Sequence, residues 1–279
     1  MTSWNDLGSH DAEAVADARL AIHHAAQLAA IGVAKALVPV RDDDSHTTLV
    51  WQAGAEQWIS VPLPGTDDLR AGLRPADLTL TLGPSSDPAR HRMPLGDKTL
   101  ADGLDWLRRT LGDVGVDTDG IALDFHYEMP THPVVTGGRF AEPAGGHSEV
   151  AAWYAAADDA LRVVVDDLAS PDDDPSTIRT WPHHFDVATL LTVGEGKTIG
   201  VGMTPGDDSY REPYWYVGPY PHPAADDLPP LPRGHWHTDG FFAAILDAPT
   251  LVAIEPAGRR RAVLVFLDMA IGGCRQLLA

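Results

Sequence analysis

One cysteine, three lysines and no long apolar run set the first limits on this 279-residue chain. The lone Cys274 has no intramolecular disulfide partner, so the fold must rest on its core rather than on crosslinks. Forty acidic side chains against twenty basic ones leave a formal charge of -20. Such a field repels phosphates and anionic lipid, which argues against sequence-independent binding to nucleic acid or to a membrane surface. No stretch reaches about 18 uninterrupted apolar residues, and the opening Met1 to Asp6 lacks the basic patch and apolar run of a signal peptide. The expectation is a cytoplasmic, globular protein with the ordinary 44% of apolar residues. Arginine in place of lysine, beside much Ala, Gly, Pro and Asp, points to a GC-rich bacterial genome.

Familiar catalytic signatures are equally scarce. There is no HExxH and no Gly-x-Ser-x-Gly elbow. Gly196-Lys197-Thr198 resembles the end of a phosphate loop, but Leu191 stands where its first glycine should be and a strand follows instead of a helix. Val193 to Lys197 is better read as a hairpin turn. The aspartate runs at 42–44, 172–174 and 207–208 lack the spacing of a calcium loop. Cys274, late in an apolar helix, reads as a small core residue.

What is present is periodicity. Leu20, Ala21, Leu28, Ile31, Ala34 and Leu37 recur at threes and fours, which predicts a helix over 11–38 ending at Pro39. Stretches 47–52, 57–63, 77–82 and 91–95, separated by Gly, Pro and Asp, predict four strands. Asp97 or Thr99 then caps a helix running through Leu111. After residue 147 the order returns: a helix at 148–168 broken by Pro171, strands at 178–193, 198–203, 213–219 and 235–246, and a final helix at 258–278. The chain therefore reads as α+β, with mainly antiparallel sheets and flanking helices. Two α-β-β-β-β-α halves, 1–118 and 147–279, are joined by 119–146, which carries one further strand at 121–127. The matching order fits either an internal duplication or two unrelated layers. One continuous globular unit is expected.

Thirteen histidines offer most of the chemistry. Residues two apart on a strand share a face, so His184 pairs with Asp186, and His235 with His237. If those strands were neighbours, the imidazoles and the carboxylate, with Glu212 as an added acid, would suit zinc or another divalent metal and a metal-bound water. Otherwise the same groups pin strand ends by hydrogen bonds. Trp181, Tyr214, Tyr216 and Trp236, again with Glu212, predict an aromatic cleft for a small organic ligand, unless the rings simply fill the core. His126, Glu128 and His132 form a further cluster in which a carboxylate could hold an imidazole tautomer, or which could be a solvated strand end.

Taken together, Ala26-Gln27-Leu28 to Pro39, Trp58-Ile-Ser-Val-Pro62, Glu128-Met-Pro130, His147, Phe185-Asp186-Val-Ala188, Thr204-Pro-Gly206, Tyr214 to Pro223 and Phe266-Leu267 resemble an uncharacterised bacterial family, the domain of unknown function five nine nine six. The likeness is one of order along nearly the whole chain. It implies a single shared architecture, with His147 and Phe185-Asp186 as shared positions. The chain departs from the family pattern at His183 and His184, where the family has small residues, and at His235-Trp236-His237. The family carries no assigned activity. The reading that follows is a small-molecule-binding or interaction protein with its cleft in the second half, the alternative being a metal-dependent hydrolase or lyase.

Overall fold

The first apolar periodicity becomes α1 (Ala12–Gln27), which widens into a π-helical stretch, Leu28–Ala34, and ends in α2 (Lys35–Leu37). In the computed structural model, which describes residues 4–170, 172–224 and 227–279, every residue of that π-helical stretch is buried. The run Ala12–Leu37 is long and apolar enough to cross a membrane, but 78% of its apolar window is buried inside the fold. That is the pattern of a helix buried in a core, with the charged Glu13 and Asp17 exposed in its opening turns. Pro171, expected to break the third helix, lies outside the described residues.

Five strands follow instead of the expected four: β1 (Leu49–Gln52), β2 (Gln57–Ser60), β3 (Leu69–Arg74), β4 (Thr79–Pro84) and β5 (His91–Pro94). The unexpected β3 contains Gly72, where a Cβ would stand 2.4 Å from the Trp58 carbonyl oxygen and 2.7 Å from Thr81 Oγ1. Close approach of neighbouring backbones demands the glycine that disguised the strand. Thr99 caps α3 (Leu100–Asp113) in a reciprocal capping box with Asp102, as the spacing predicts. The strand expected at 121–127 does not form. Side chains satisfy its carbonyls in place of a neighbouring strand: Arg108 donates to Ile121 O at 2.6 Å and Lys35 to Asp124 O.

The second half opens with α4 (Gly145–Val163), which also widens at its end into a π-helical stretch, Val164–Leu168. Then come β6 (Asp174–Pro175), β7 (Arg179–Trp181), β8 (Asp186–Gly194), β9 (Lys197–Thr204), β10 (Tyr214–Tyr220), β11 (His235–His237) and β12 (Ala243–Asp247). Helices α5 (Ala248–Val252) and α6 (Pro256–Leu278) close the chain. The expected strand 178–193 is two strands separated by the turn 182–185, and 235–246 is likewise divided by a loop at 238–242. Between β8 and β9 the predicted hairpin is present, with Gly196 at φ +67°.

Two compact units result. One comprises Glu13–Ala151 and Thr180–Phe185; the other comprises Met1–Ala12, Ala152–Arg179 and Asp186–Ala279. In the first, an antiparallel sheet runs β7-β1-β2-β3-β4-β5, and the π-helical stretch packs on β2 and β3. In the second, the order is β11-β12-β10-β9-β8, with β6 paired to β8. Here α6 covers one face, where Val187, Leu191, Ile199, Val201, Met203, Trp215, Val217 and Leu246 are buried. An α+β architecture with antiparallel strands is thus what the chain adopts. Cys274 lies in this core with its thiol pushed up to about 12 by burial, which leaves no thiolate to act as a nucleophile.

Candidate functional site

Strand alternation in the second unit sends Tyr214 and Tyr216 of β10, Asp186 of β8, Ile245 of β12 and both His235 and His237 of β11 to the face away from α6. Two loops fold over this face. In the first, Gly206 has φ +111° and a Cβ there would stand 2.5 Å from the Arg211 carbonyl oxygen. Asp207 Oδ1 then accepts from the backbone N–H groups of Ser209 and Tyr210, at 2.8 and 2.9 Å. This turn delivers Tyr210 onto the sheet. The second loop brings Phe241, whose ring stacks on His237 with centroids 4.0 Å apart.

The Tyr210 hydroxyl lies 2.8 Å from His235 Nε2 and 2.8 Å from His237 Nδ1. One phenol carries one proton, so the direction of each bond can be worked out. His237 Nε2 faces the Asp239 carbonyl, which only accepts, so this nitrogen holds the ring proton. With both imidazoles neutral, His237 Nδ1 accepts from the Tyr210 O–H, and the Tyr210 oxygen accepts from His235 Nε2–H. Nδ1 of the exposed His235 is left as a lone-pair acceptor, with no hydrogen-bond partner among the described residues.

Two more phenols extend the array. Tyr214 donates to Asp207 Oδ2 at 2.6 Å, so one carboxylate both builds the loop and holds a ring. Tyr216 donates to Asp186 Oδ2. It crosses β9 above Gly202, where a Cβ would stand 2.5 Å from the Tyr216 hydroxyl. Burial raises the pKa of Tyr210, and raises those of Tyr214 and Tyr216 further, the neighbouring Asp207 and Asp186 adding to the shift. All three hydroxyls therefore keep their protons near neutral pH. Beside them, on the same face, Gly200 and Gly218 pair across the strands and the exposed Leu190 and Tyr220 stand at 43% and 63% accessibility.

The sequence-predicted residues thus separate. Tyr214, Tyr216, Asp186, His235 and His237 share one face of one sheet. Trp236 points to the opposite face, where its indole N–H donates to Pro229 O at 2.7 Å and its ring packs 5.5 Å from Phe242. Glu212 is half-buried and makes no hydrogen bond among the described residues. Among those residues no three His, Cys, Asp or Glu side chains are grouped to hold a metal. Tyr210 and Phe241 sit in loops with no period that would mark them as site residues, and Asp207 reads in the sequence only as one of a pair of loop acids. The Gly206-Asp207 turn was the available signal.

Trp181 and His184 belong to the first unit, where a second polar network lies. His23 and Gln27 of α1 both bind the Pro182 carbonyl at 2.8 Å, and Tyr127 donates to Gln27 Oε1 at 2.7 Å. His23 also stacks on Phe185 at 4.5 Å, a residue held at φ +57°. The turn so fixed presents His183, 4.5 Å from the exposed His184, 6.0 Å from Trp181 and 5.7 Å from Tyr127. Burial lowers His23 to about 3 and His183 to about 4, with a nearby imidazole adding to each shift. Of the expected His126, Glu128 and His132 cluster, His126 binds Asp44 at 3.1 Å, and His132 stands 5.5 Å from His24. His147 accepts from the Ala144 N–H near the start of α4 and is buried.

No family model, no curated protein and no solved structure matches this chain.

Proposed function

We propose that the chain binds a small, flat organic molecule bearing a hydrogen-bond donor on the tyrosine-lined face of the second unit. The observation that carries this reading is the Tyr210 hydroxyl set between two imidazoles. It fixes the proton on His235 Nε2 and turns Nδ1 outward as a ready acceptor, so a donor N–H or O–H would meet an oriented partner with little ordering left to do. Aromatic rings supply the apolar contact, and Gly200, where an added Cβ would meet nothing nearer than 3.9 Å, leaves open floor for a planar group. The likeness to the domain of unknown function belongs to this reading as a statement about architecture, and it brings no activity.

The competing reading is a divalent metal on His184, Asp186, His235 and His237, serving hydrolysis or elimination. In its disfavour, Asp186 already accepts from Tyr216, and His237 spends both nitrogens within the protein. A thermal-shift screen of phenols and N–H heteroaromatics, run beside metal analysis of the purified protein, separates the two. A ligand at a hundred times its Kd should raise the melting temperature of the wild type by about 5 °C or more and lose that effect in His235→Ala. An undiminished shift in the variant would contradict the tyrosine-lined site, and stoichiometric zinc released on unfolding would favour the metal reading.

A further inference from the structure

On the helix side of the same sheet, the proline-rich segment before β11 lies along α6. A Cβ on Gly273 would stand 3.3 Å from Pro229, whose carbonyl accepts from Trp236. The segment ends at Gly234, φ +78°, where a Cβ would stand 1.9 Å from the Ile245 carbonyl oxygen. No other residue fits there, so the backbone at Arg233 is held in place. From the other side, Arg259, 7% exposed, donates to Ile254 O and Val252 O at 3.1 and 3.0 Å and fixes the turn between α5 and α6.

Between these supports lies a cleft of about 330 Å³, walled by Pro232, Ile254, Ala262 and Val265 and edged by Arg233 and Arg261. Its volume falls at the small end of the roughly 300–1,000 Å³ typical of small-molecule sites. Val265 is 43% exposed at its mouth. The charge of the rim is opposite to that of the chain: acidic side chains outnumber basic ones forty to twenty, yet both exposed guanidiniums lack an ion pair among the described residues.

We propose that this cleft binds an amphiphilic organic acid, its apolar body on Ile254, Ala262 and Val265 and its carboxylate between Arg233 and Arg261. A guanidinium fork matches a carboxylate, and an apolar wall alone would not distinguish an acid from an alcohol. The site is separate from the tyrosine-lined face and stands or falls independently of it.

Octanoate, 1-octanol and octylammonium are the probes for isothermal titration of the full chain, with methyl NMR of Val265 as the locator. The expected result is one saturable octanoate site, at least about tenfold tighter than for octanol and absent for octylammonium. It should shift the Val265 methyls and weaken about tenfold in the exposed-residue double variant Arg233→Gln/Arg261→Gln. Equal affinity for acid and alcohol, unchanged affinity in the variant, or a peptide with an apolar C-terminal residue binding where octanoate does not would each overturn the proposal.

Discussion

A buried imidazole is neutral in the native state, and His23 carries a pH dependence for that reason. Its pKa lies near 3, chiefly through burial, against an ordinary 6.5. Below pH 6.5 the unfolded chain takes up a proton that the folded chain refuses, so this contribution is intact above pH 6.5 and lost as the pH falls toward 3. Between pH 7.5 and 5 the loss comes to about 2 kcal/mol for one such histidine. In His23→Gln, which keeps an amide donor for the Pro182 carbonyl, urea-unfolding free energies should fall by about that much less over the same interval. An unchanged pH slope would show that His23 protonates without unfolding. This residue was illegible in the sequence. It lies on a helical run apolar enough to span a membrane, where a histidine looks like an interruption, and its partner is 159 positions away. His235 and His237 were legible because alternation on a strand is local. Tyr210, which gives them their meaning, was not.

At the scale of elements, the long helices and most strands could be read because each carries its period within a few residues. The errors fell where a backbone contact, not a side-chain pattern, decides the structure. Gly72 disguises strand β3, and the alternation of 121–127 imitates a strand although its carbonyls are bound by Arg108 and Lys35. The division of 235–246 was hidden for a related reason: the residues around its loop are as aromatic as those in the strands. The account of β3 makes a specific demand. Gly72→Ala should destabilise the chain by about 1–3 kcal/mol, because the new methyl must push the Trp58 carbonyl or Thr81 aside. A denaturation midpoint equal to that of the wild type would mean that β2, β3 and β4 are less tightly apposed than described.

For the molecule as a whole, the predicted α+β order with antiparallel sheets stands, while the partition of residues was beyond sequence reasoning. Thr180–Phe185 groups with the first unit and Met1–Ala12 with the second, which places Trp181 and His184 with His23 and leaves Tyr214, Tyr216, Asp186, His235 and His237 on one sheet. The proposed site for a flat organic molecule lies on the face of that sheet away from α6, and the proposed acid-binding cleft on the α6 side. The most direct test is a chemical-shift map of the full chain, isotope-labelled on histidine, tyrosine and phenylalanine, titrated with the best compound from the thermal-shift screen. Saturable shifts at His235, His237, Tyr210 and Phe241, with both neutral imidazoles as Nε2–H tautomers and no comparable movement of His23, His126 or His183, are what the account predicts. Shifts centred on the histidines of the first unit, or an Nδ1–H tautomer at His237, would contradict it.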